Sequence, residues 1–202
     1  IILSGGPKSV HVDGAPKLDA EIYELGVPIF GICYGVQLIA QQLGGEVARG
    51  GKGEYGRAIM RRIAGAKSTL LTDPIVGPSQ DLSVWMSHFD AVTRVPEGFV
   101  ATAATPDAPM AVIECVARKI WGVQFHPEVM HTQQGTEVLQ QFIYQLAGCK
   151  PTWTMDSIIE TQVKAIREQV GSERVVCGLS GGVDSAVAAA LVHRAIGKQL
   201  TC

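Results

Sequence analysis

The sequence lacks several things, and each absence closes off a class of function. It has no apolar run approaching the roughly 18 residues of a helical membrane span, so no membrane role is expected. It has no basic excess: 17 lysines and arginines against 19 aspartates and glutamates leave a net charge of −2. The electrostatic footprint of a non-specific nucleic-acid binder is therefore missing, and no nucleic-acid partner is expected. No CxxC pair occurs, and the five cysteines are an odd number scattered mostly in apolar runs. Such usage suits a reducing cytoplasm better than a disulfide scaffold. Internal repeats and low-complexity tracts are also lacking, the first residue is not methionine, and no signal peptide is expected. The chain opens inside a strand-like run, Ile1-Ile2-Leu3, and closes on residues 198–202 as another strand begins. The expectation is a fragment of a longer parent, with strands before Ile1 and the rest of a second domain after Cys202.

What is present is the make-up of a globular chain. Hydrophobic residues are 47% and charged residues 18% of 202, enough for one large domain or one and a half ordinary ones. Strand-like segments are read at residues 1–4, 27–32, 56–62, 84–86, 99–105, 110–115, 120–125 and 174–179. Helical patterns run over residues 17–25, 34–43, 135–147, 155–170 and about 183–196. Cys149-Lys150-Pro151-Thr152 reads as a linker, dividing a unit of residues 1–147 from a second beginning at 148. The fold class is α/β in both: an open mixed sheet flanked by helices, then the first βα unit of a second α/β domain.

Gly31-Ile32-Cys33-Tyr34-Gly35 lies between a buried strand and a helix. This is the nucleophile-elbow pattern with cysteine as nucleophile. The turn is so tight that side chains at either glycine would clash. Cys33 would sit at a helix N-terminus, where the dipole favours the thiolate. The plainer reading is a buried structural cysteine between two convenient glycines. A second motif favours chemistry. In Gln124-Phe125-His126-Pro127-Glu128 the proline keeps His126 extended, so residues i and i+2 would share a face and Glu128 would orient the imidazole. The pair could equally be a surface His–Glu at a strand end, but with a cysteine elbow upstream the Cys–His–Glu triad is favoured. Gly6 in the Ser4-Gly5-Gly6-Pro7 turn and Tyr34 at the elbow could each offer a backbone N–H to an oxyanion hole.

These three motifs resemble the class I glutamine amidotransferase domain, over nearly all of residues 1 to about 147. The resemblance implies Cys33 as nucleophile, His126 as base and Glu128 as orienter. It implies glutamine contacts at Gln37, one turn into the elbow helix, and in a pocket-lining loop, Met86-Ser87-His88-Phe89-Asp90, hence at Ser87, His88 and Asp90. His88 is a rival base, though its only neighbouring carboxylate in sequence is Asp90. His131 and His193 read as solvated or packed side chains, and His11 lies in a polar loop without a role.

The second unit carries Ser180-Gly181-Gly182-Val183-Asp184-Ser185-Ala186 between a strand and an Ala-rich helix. It is neither a Walker A loop nor a G-x-G-x-x-G turn. An ordinary helix cap would explain a bare SGG before a helix. The full string resembles the PP-loop of ATP pyrophosphatases, which implies pyrophosphate and ATP binding at residues 180–186 with Mg²⁺, for which Asp184 is the only carboxylate. Joined in this order, the two resemble the family of glutamine-hydrolysing GMP synthetases, with Trp153-Thr154 in the linking stretch fitting too. That resemblance implies ATP, glutamine and xanthosine monophosphate (XMP) as substrates and a homodimeric parent. A stand-alone cysteine hydrolase would leave the second loop unexplained. A non-catalytic sensor would be expected to lose Cys33 or Glu128, and a glutaminase attached to another ATP-dependent amidotransferase is the remaining alternative.

Overall fold

The computed structural model describes residues 1–202 apart from Pro78, Gln80 and Trp153, and gives no side-chain surroundings for Gly50, Gly51 and Ser157. Trp153 of the linking stretch thus lies outside the described residues. Two compact units emerge, Ile1–Cys149 and Lys150–Cys202.

The first unit is built on a seven-stranded mixed sheet in the order β1-β2-β7-β6-β5-β3-β4. The strands are β1 (Ile2–Leu3), β2 (Ile29–Ile32), β3 (Glu46–Arg62), β4 (Asp81–Arg94), β5 (Val100–Ala104), β6 (Val112–Cys115) and β7 (Ile120–Val123). β1, β2 and β7 pair in parallel, and the remaining pairs are antiparallel. Every residue of β2 and β7 is buried, because helices cover both faces at this point. The period of two along β2 splits its side chains between two cores: Phe30 and Ile32 join one with Met60, Trp121 and Phe142, while Ile29 joins another with Val36, Ile39 and Val92. Helix α1 (Tyr34–Gln42) supplies the second core. A short helix α2 (Asp73–Val76) lies between β3 and β4. Helix α3 (Gly135–Gln140) continues as a π-helical stretch, Gln141–Leu146, whose Phe142 stacks on Phe30 at 4.9 Å between ring centroids.

Three expectations change here. Residues 17–25 form only a 3₁₀ turn, Ala20–Glu24, capped by Asp19 accepting from Glu21 N at 3.1 Å. Gly26, at φ +67°, ends it before an α-helix can develop. Residues 56–62 and 84–86 are the middles of much longer strands, whose paired ladder runs from Glu46–Arg94 to Arg61–Asp81 with irregularities after Glu46 and between Arg49 and Glu54. Met86-Ser87-His88-Phe89-Asp90 is therefore part of a strand rather than a loop, held by β3 partners from Gly56 to Arg49.

The second unit comprises α4 (Met155–Val170), β8 (Val175–Val176), α5 (Val183–Ile196) and β9 (Leu200–Thr201). β8 and β9 pair in parallel across α5, a βαβ arrangement. Residues 174–179 were expected to be strand throughout. Only Val175–Val176 qualifies, although Cys177 N still donates to Thr201 O at 2.9 Å. Val176 and Leu179 are exposed. Among the described residues, no helix is long and apolar enough to cross a membrane.

Candidate active site

β2 ends at Ile32 and α1 begins at Tyr34, leaving Cys33 alone in the turn with φ +51° and ψ −104°. A side-chain-bearing residue adopts such backbone rarely, and residues held there cluster at functional sites. The flanking glycines permit it. A Cβ on Gly31 would lie 2.6 Å from Ile39 Cδ1, and one on Gly35 would collide with the Leu3 carbonyl oxygen. Cys33 N donates to Val123 O at 2.8 Å, which ties the elbow to β7.

The thiol is buried, and its polar neighbours are few. Cys33 Sγ donates to Ser87 O at 3.7 Å and accepts from Gln124 Nε2 at 3.8 Å. Burial pushes the thiol up to about 11; the Glu128 charge adds to the rise, while the Tyr34 N–H and the Gln124 side chain oppose it. The helix N-terminus expected to favour the thiolate is thus outweighed in the resting structure. Desolvating an anion costs more than a few N–H groups return.

β7 leads through Gln124 and Phe125 to His126, whose backbone N donates to Trp85 O at 3.0 Å. Thr132 Oγ1 donates to His126 O at 2.6 Å and accepts from Trp85 N at 3.0 Å, pinning the segment to β4. His126 Nδ1 meets Glu128 Oε1 at 2.7 Å. A carboxylate only accepts, so Nδ1 carries the hydrogen and Nε2 is left to take a proton. The expected reason for this pairing needs correction. β7 ends at Val123, and Pro127-Glu128 form a turn, so the turn rather than strand alternation brings the two side chains together.

His126 and Cys33 approach each other across Gly5. A Cβ there would stand 2.9 Å from His126 Cε1 and 3.6 Å from Cys33 Cβ. Both line one cleft of about 650 Å³, together with Gly6, Gln37, Ser87, His88 and Asp90. Every residue expected in the glutaminase site except Tyr34 and Glu128 borders this cleft. Tyr34 reaches the site through its backbone N–H beside the sulfur; its hydroxyl donates to Pro16 O at 2.5 Å. Glu128 stands behind His126. Gln37 Nε2 is committed to Asp90 O at 2.6 Å, leaving its Oε1 for a ligand.

Two groups beside the cleft, a carboxylate and an amide, carried no signal in the sequence. Glu54 faces His88 in register across β3 and β4, with Oε2 3.3 Å from His88 Nε2. Thr105 Oγ1 donates to the same oxygen at 2.6 Å, and Asp107 N to Oε1 at 3.4 Å. Burial holds His88 below the usual imidazole range despite the Glu54 charge, so His88 is a neutral wall of the cleft. Gln124 belongs to the His126 motif, yet nothing in its spacing marks it as a neighbour of the sulfur. Lys8, Arg49, Tyr55 and Phe89 also line the cleft, with Tyr55 against Phe89 edge-on at 5.3 Å. Of the histidines given no role, His131 packs on Trp85 at 4.5 Å, His193 is exposed, and His11 Nε2 meets Val47 O at 2.8 Å. All five cysteines are free. Cys115 is buried, but Cys177, expected to be buried in a strand, is only partly so.

In the second unit the glycine loop is ordered by its own serines. Ser180 Oγ lies 3.0 Å from Ser185 Oγ and accepts from Gly182 N at 3.3 Å, while Ser185 Oγ donates to Gly182 O at 2.9 Å. Gly181 takes φ +84°, and Gly182 caps α5. The N–H groups of Val183, Asp184 and Ser185 fall in the first turn, where an α-helix offers its unpaired donors to an anion. No cluster of three or more metal-ligating side chains occurs among the described residues. A lone Asp184 in the first turn of α5, among N–H donors that could face an anion, is a donor set that fits Mg²⁺, which is commonly held by one carboxylate plus substrate phosphates.

Two family models match successive parts of the chain. Residues 1–146 match the model described as glutamine amidotransferase class-I, and residues 156–202 match the model described as NAD synthase. Over its whole length the chain is 58% identical to the glutamine-hydrolysing GMP synthase of Symbiobacterium thermophilum and 57% identical to that of Thermobifida fusca. It spans only 38% and 37% of those proteins. The crystal structure of a Thermoplasma acidophilum protein, described as one of the subunits of a GMP synthase, superposes with a TM-score of 0.58 at 29% identity, covering 73% of this chain and 72% of that one. By the match across its first 146 residues, carried on a mixed sheet with a cysteine elbow, the chain belongs to the class-I glutamine amidotransferase family.

Proposed function

We propose that the chain belongs to an enzyme that makes GMP from XMP, ATP and glutamine, with Cys33, His126 and Glu128 as its glutaminase triad. The observation that carries this is the joint presence on one cleft of the elbow cysteine and of His126, with Glu128 behind it, followed in the same chain by the S-G-G-V-D-S loop.

Glutamine enters the cleft with its carboxamide over Cys33. His126 Nε2 takes the thiol proton, and Glu128 stabilises the imidazolium. The sulfur attacks the carboxamide carbon, and the oxyanion is met by the N–H groups of Gly6 and Tyr34. His126 returns the proton to the departing nitrogen, ammonia leaves, and water cleaves the thioester to glutamate. Gln37, Ser87, His88 and Asp90 shape the pocket for the amino-acid end. In the second unit residues 180–186 hold the phosphates of ATP by backbone N–H groups and the helix dipole. Asp184 would hold Mg²⁺, which neutralises phosphate charge when bound. XMP is adenylated at its purine carbonyl with loss of pyrophosphate, and ammonia then displaces AMP. Activation is needed because a carbonyl oxygen is a poor leaving group. A homodimeric, cytoplasmic enzyme is the proposed setting.

The test is GMP formation from XMP with glutamine or with ammonium as nitrogen source. Asp184→Ala should abolish both reactions, since no adenylate forms. Glu128→Ala should lower only the glutamine reaction, by on the order of 10²-fold or more, since the base remains without its orienter. Loss of the ammonium reaction in Glu128→Ala, or its survival in Asp184→Ala, would contradict the division of labour.

A further inference from the structure

The parallel pairing of β2 with β7 ends in register at Ile32 and Val123. One residue further along each strand stand Cys33 and Gln124, and Gln124 Nε2 reaches Cys33 Sγ at 3.8 Å. Gln124 is completely buried, and its backbone N–H is committed to Ala111 O at 2.8 Å. Its side-chain Oε1 is buried with no hydrogen-bonding partner. A methionine of similar size would fill the same space without stranding a carbonyl, and a bare buried acceptor is a cost that native structures sustain only for a reason. The reason lies at the other end of the amide. Besides the Tyr34 backbone N–H, the sulfur has two polar neighbours of opposite kind. Ser87 O can only accept and so favours the thiol; the Gln124 N–H can only donate and so favours the anion.

We propose that Gln124 is a catalytic residue: its amide hydrogen stabilises the Cys33 thiolate formed when His126 removes the thiol proton. The inference rests on the reading of Cys33 as the nucleophile. The S–H bond breaks, the proton passes to His126 Nε2, and the electron pair stays on sulfur until it bonds to the carboxamide carbon. The Gln124 hydrogen is not transferred. Its bond to sulfur is strongest while sulfur is charged and weakens once the thioester forms, which directs its stabilisation to the attacking state. The other charged or titratable groups on the cleft are His126, His88 with Glu54 behind it, Asp90, Lys8, Arg49 and Tyr55, with Glu128 behind His126. Substitution at Gln124 changes none of them.

The experiment follows alkylation of Cys33 by iodoacetamide against pH in the full chain, read by peptide mass mapping, with and without glutamine. In the wild type glutamine should protect Cys33. Absence of protection would overturn the nucleophile reading, and this proposal with it, whatever happens at Gln124. With protection established, Gln124→Met should raise the Cys33 midpoint by about one pH unit, a roughly tenfold loss of thiolate at any pH below it. kcat/KM for glutamine should fall by a similar factor. Gln124→Glu, of the same shape but with an acceptor in place of the donor, should raise the midpoint further. An unmoved midpoint in a folded Gln124→Met overturns the proposal. If that variant does not fold, the side-chain amide proton resonance of Gln124 in the wild type decides. It should move with the Cys33 midpoint and not move in Cys33→Ser; indifference to the Cys33 titration overturns the proposal.

Discussion

The Cys33 thiol, 4% exposed and pushed up to about 11 by burial, keeps its proton at neutral pH. Two reagents should therefore rank the thiols differently. A small neutral alkylator should label exposed Cys149 and Cys202 first, and its reaction with Cys33 should climb with pH towards about 11, because only the thiolate attacks. A glutamine-shaped chloroketone should label Cys33 first, because binding in the cleft places the electrophile on the sulfur; Cys115 or Cys149 ahead of it in mass mapping would contradict the elbow assignment. The position of Cys33 was legible in five residues of sequence, since glycine on both sides of a cysteine after an apolar strand leaves few conformations. Its protonation was not legible. It depends on burial and on Ser87, Gln124 and Glu128, which are distant in the chain and reach the sulfur only through folding. The Glu54–His88 pair was hidden for the same reason: its partners lie 34 residues apart and meet through the register of β3 with β4.

At the scale of elements, legibility followed local signal. α4 and α5 span the same residues, Met155–Val170 and Val183–Ile196, as the helical pattern indicated. β3 and β4 outran their apolar stretches because pairing with each other supplies what composition does not: in a stretch rich in glycine and charge, Glu46–Arg49 and Glu54 pair with residues between His88 and Arg94 on either side of the register break. The stretch before α2 depends on partners distant in the chain. Glu114 of β6 is buried and accepts from Ser68 Oγ, from Thr69 N at 2.8 Å, from Thr69 Oγ1 at 2.7 Å and from Thr102 Oγ1 at 3.1 Å. Trp121 Nε1 donates to Thr69 Oγ1 at 2.9 Å. Glu114→Ala would leave several buried donors unsatisfied, at a cost of about 3 kcal/mol or more. Calorimetry should show the first unit melting roughly 10 °C lower. Glu114→Gln, which keeps the shape and one acceptor oxygen, should lose less. A wild-type melting temperature for Glu114→Ala would show that the carboxylate does not anchor this segment.

For the whole molecule, two units carry two distinct motifs in one chain. The elbow and the His126–Glu128 turn belong to the first unit, and the serine-ordered glycine loop belongs to the second. Each motif is local enough to be read directly from residues. One wall of the cleft is Ser87, His88, Phe89 and Asp90 of β4, a segment the resemblance marked as pocket-lining but read as a loop, whereas no local pattern announced Gln124 beside the sulfur. In the proposed reaction Cys33 serves nitrogen release alone, while the second unit needs only ammonia from any source. The most direct measurement is GMP formation by Cys33→Ala in the full-length enzyme with each nitrogen source in turn. Glutamine-dependent synthesis should disappear, because the substitution removes the sulfur held at the elbow to form the acyl intermediate. Synthesis from concentrated ammonium at raised pH should continue near the wild-type rate. Loss of the ammonium reaction in a correctly folded Cys33→Ala protein would contradict the assignment of separate sites to the two motifs.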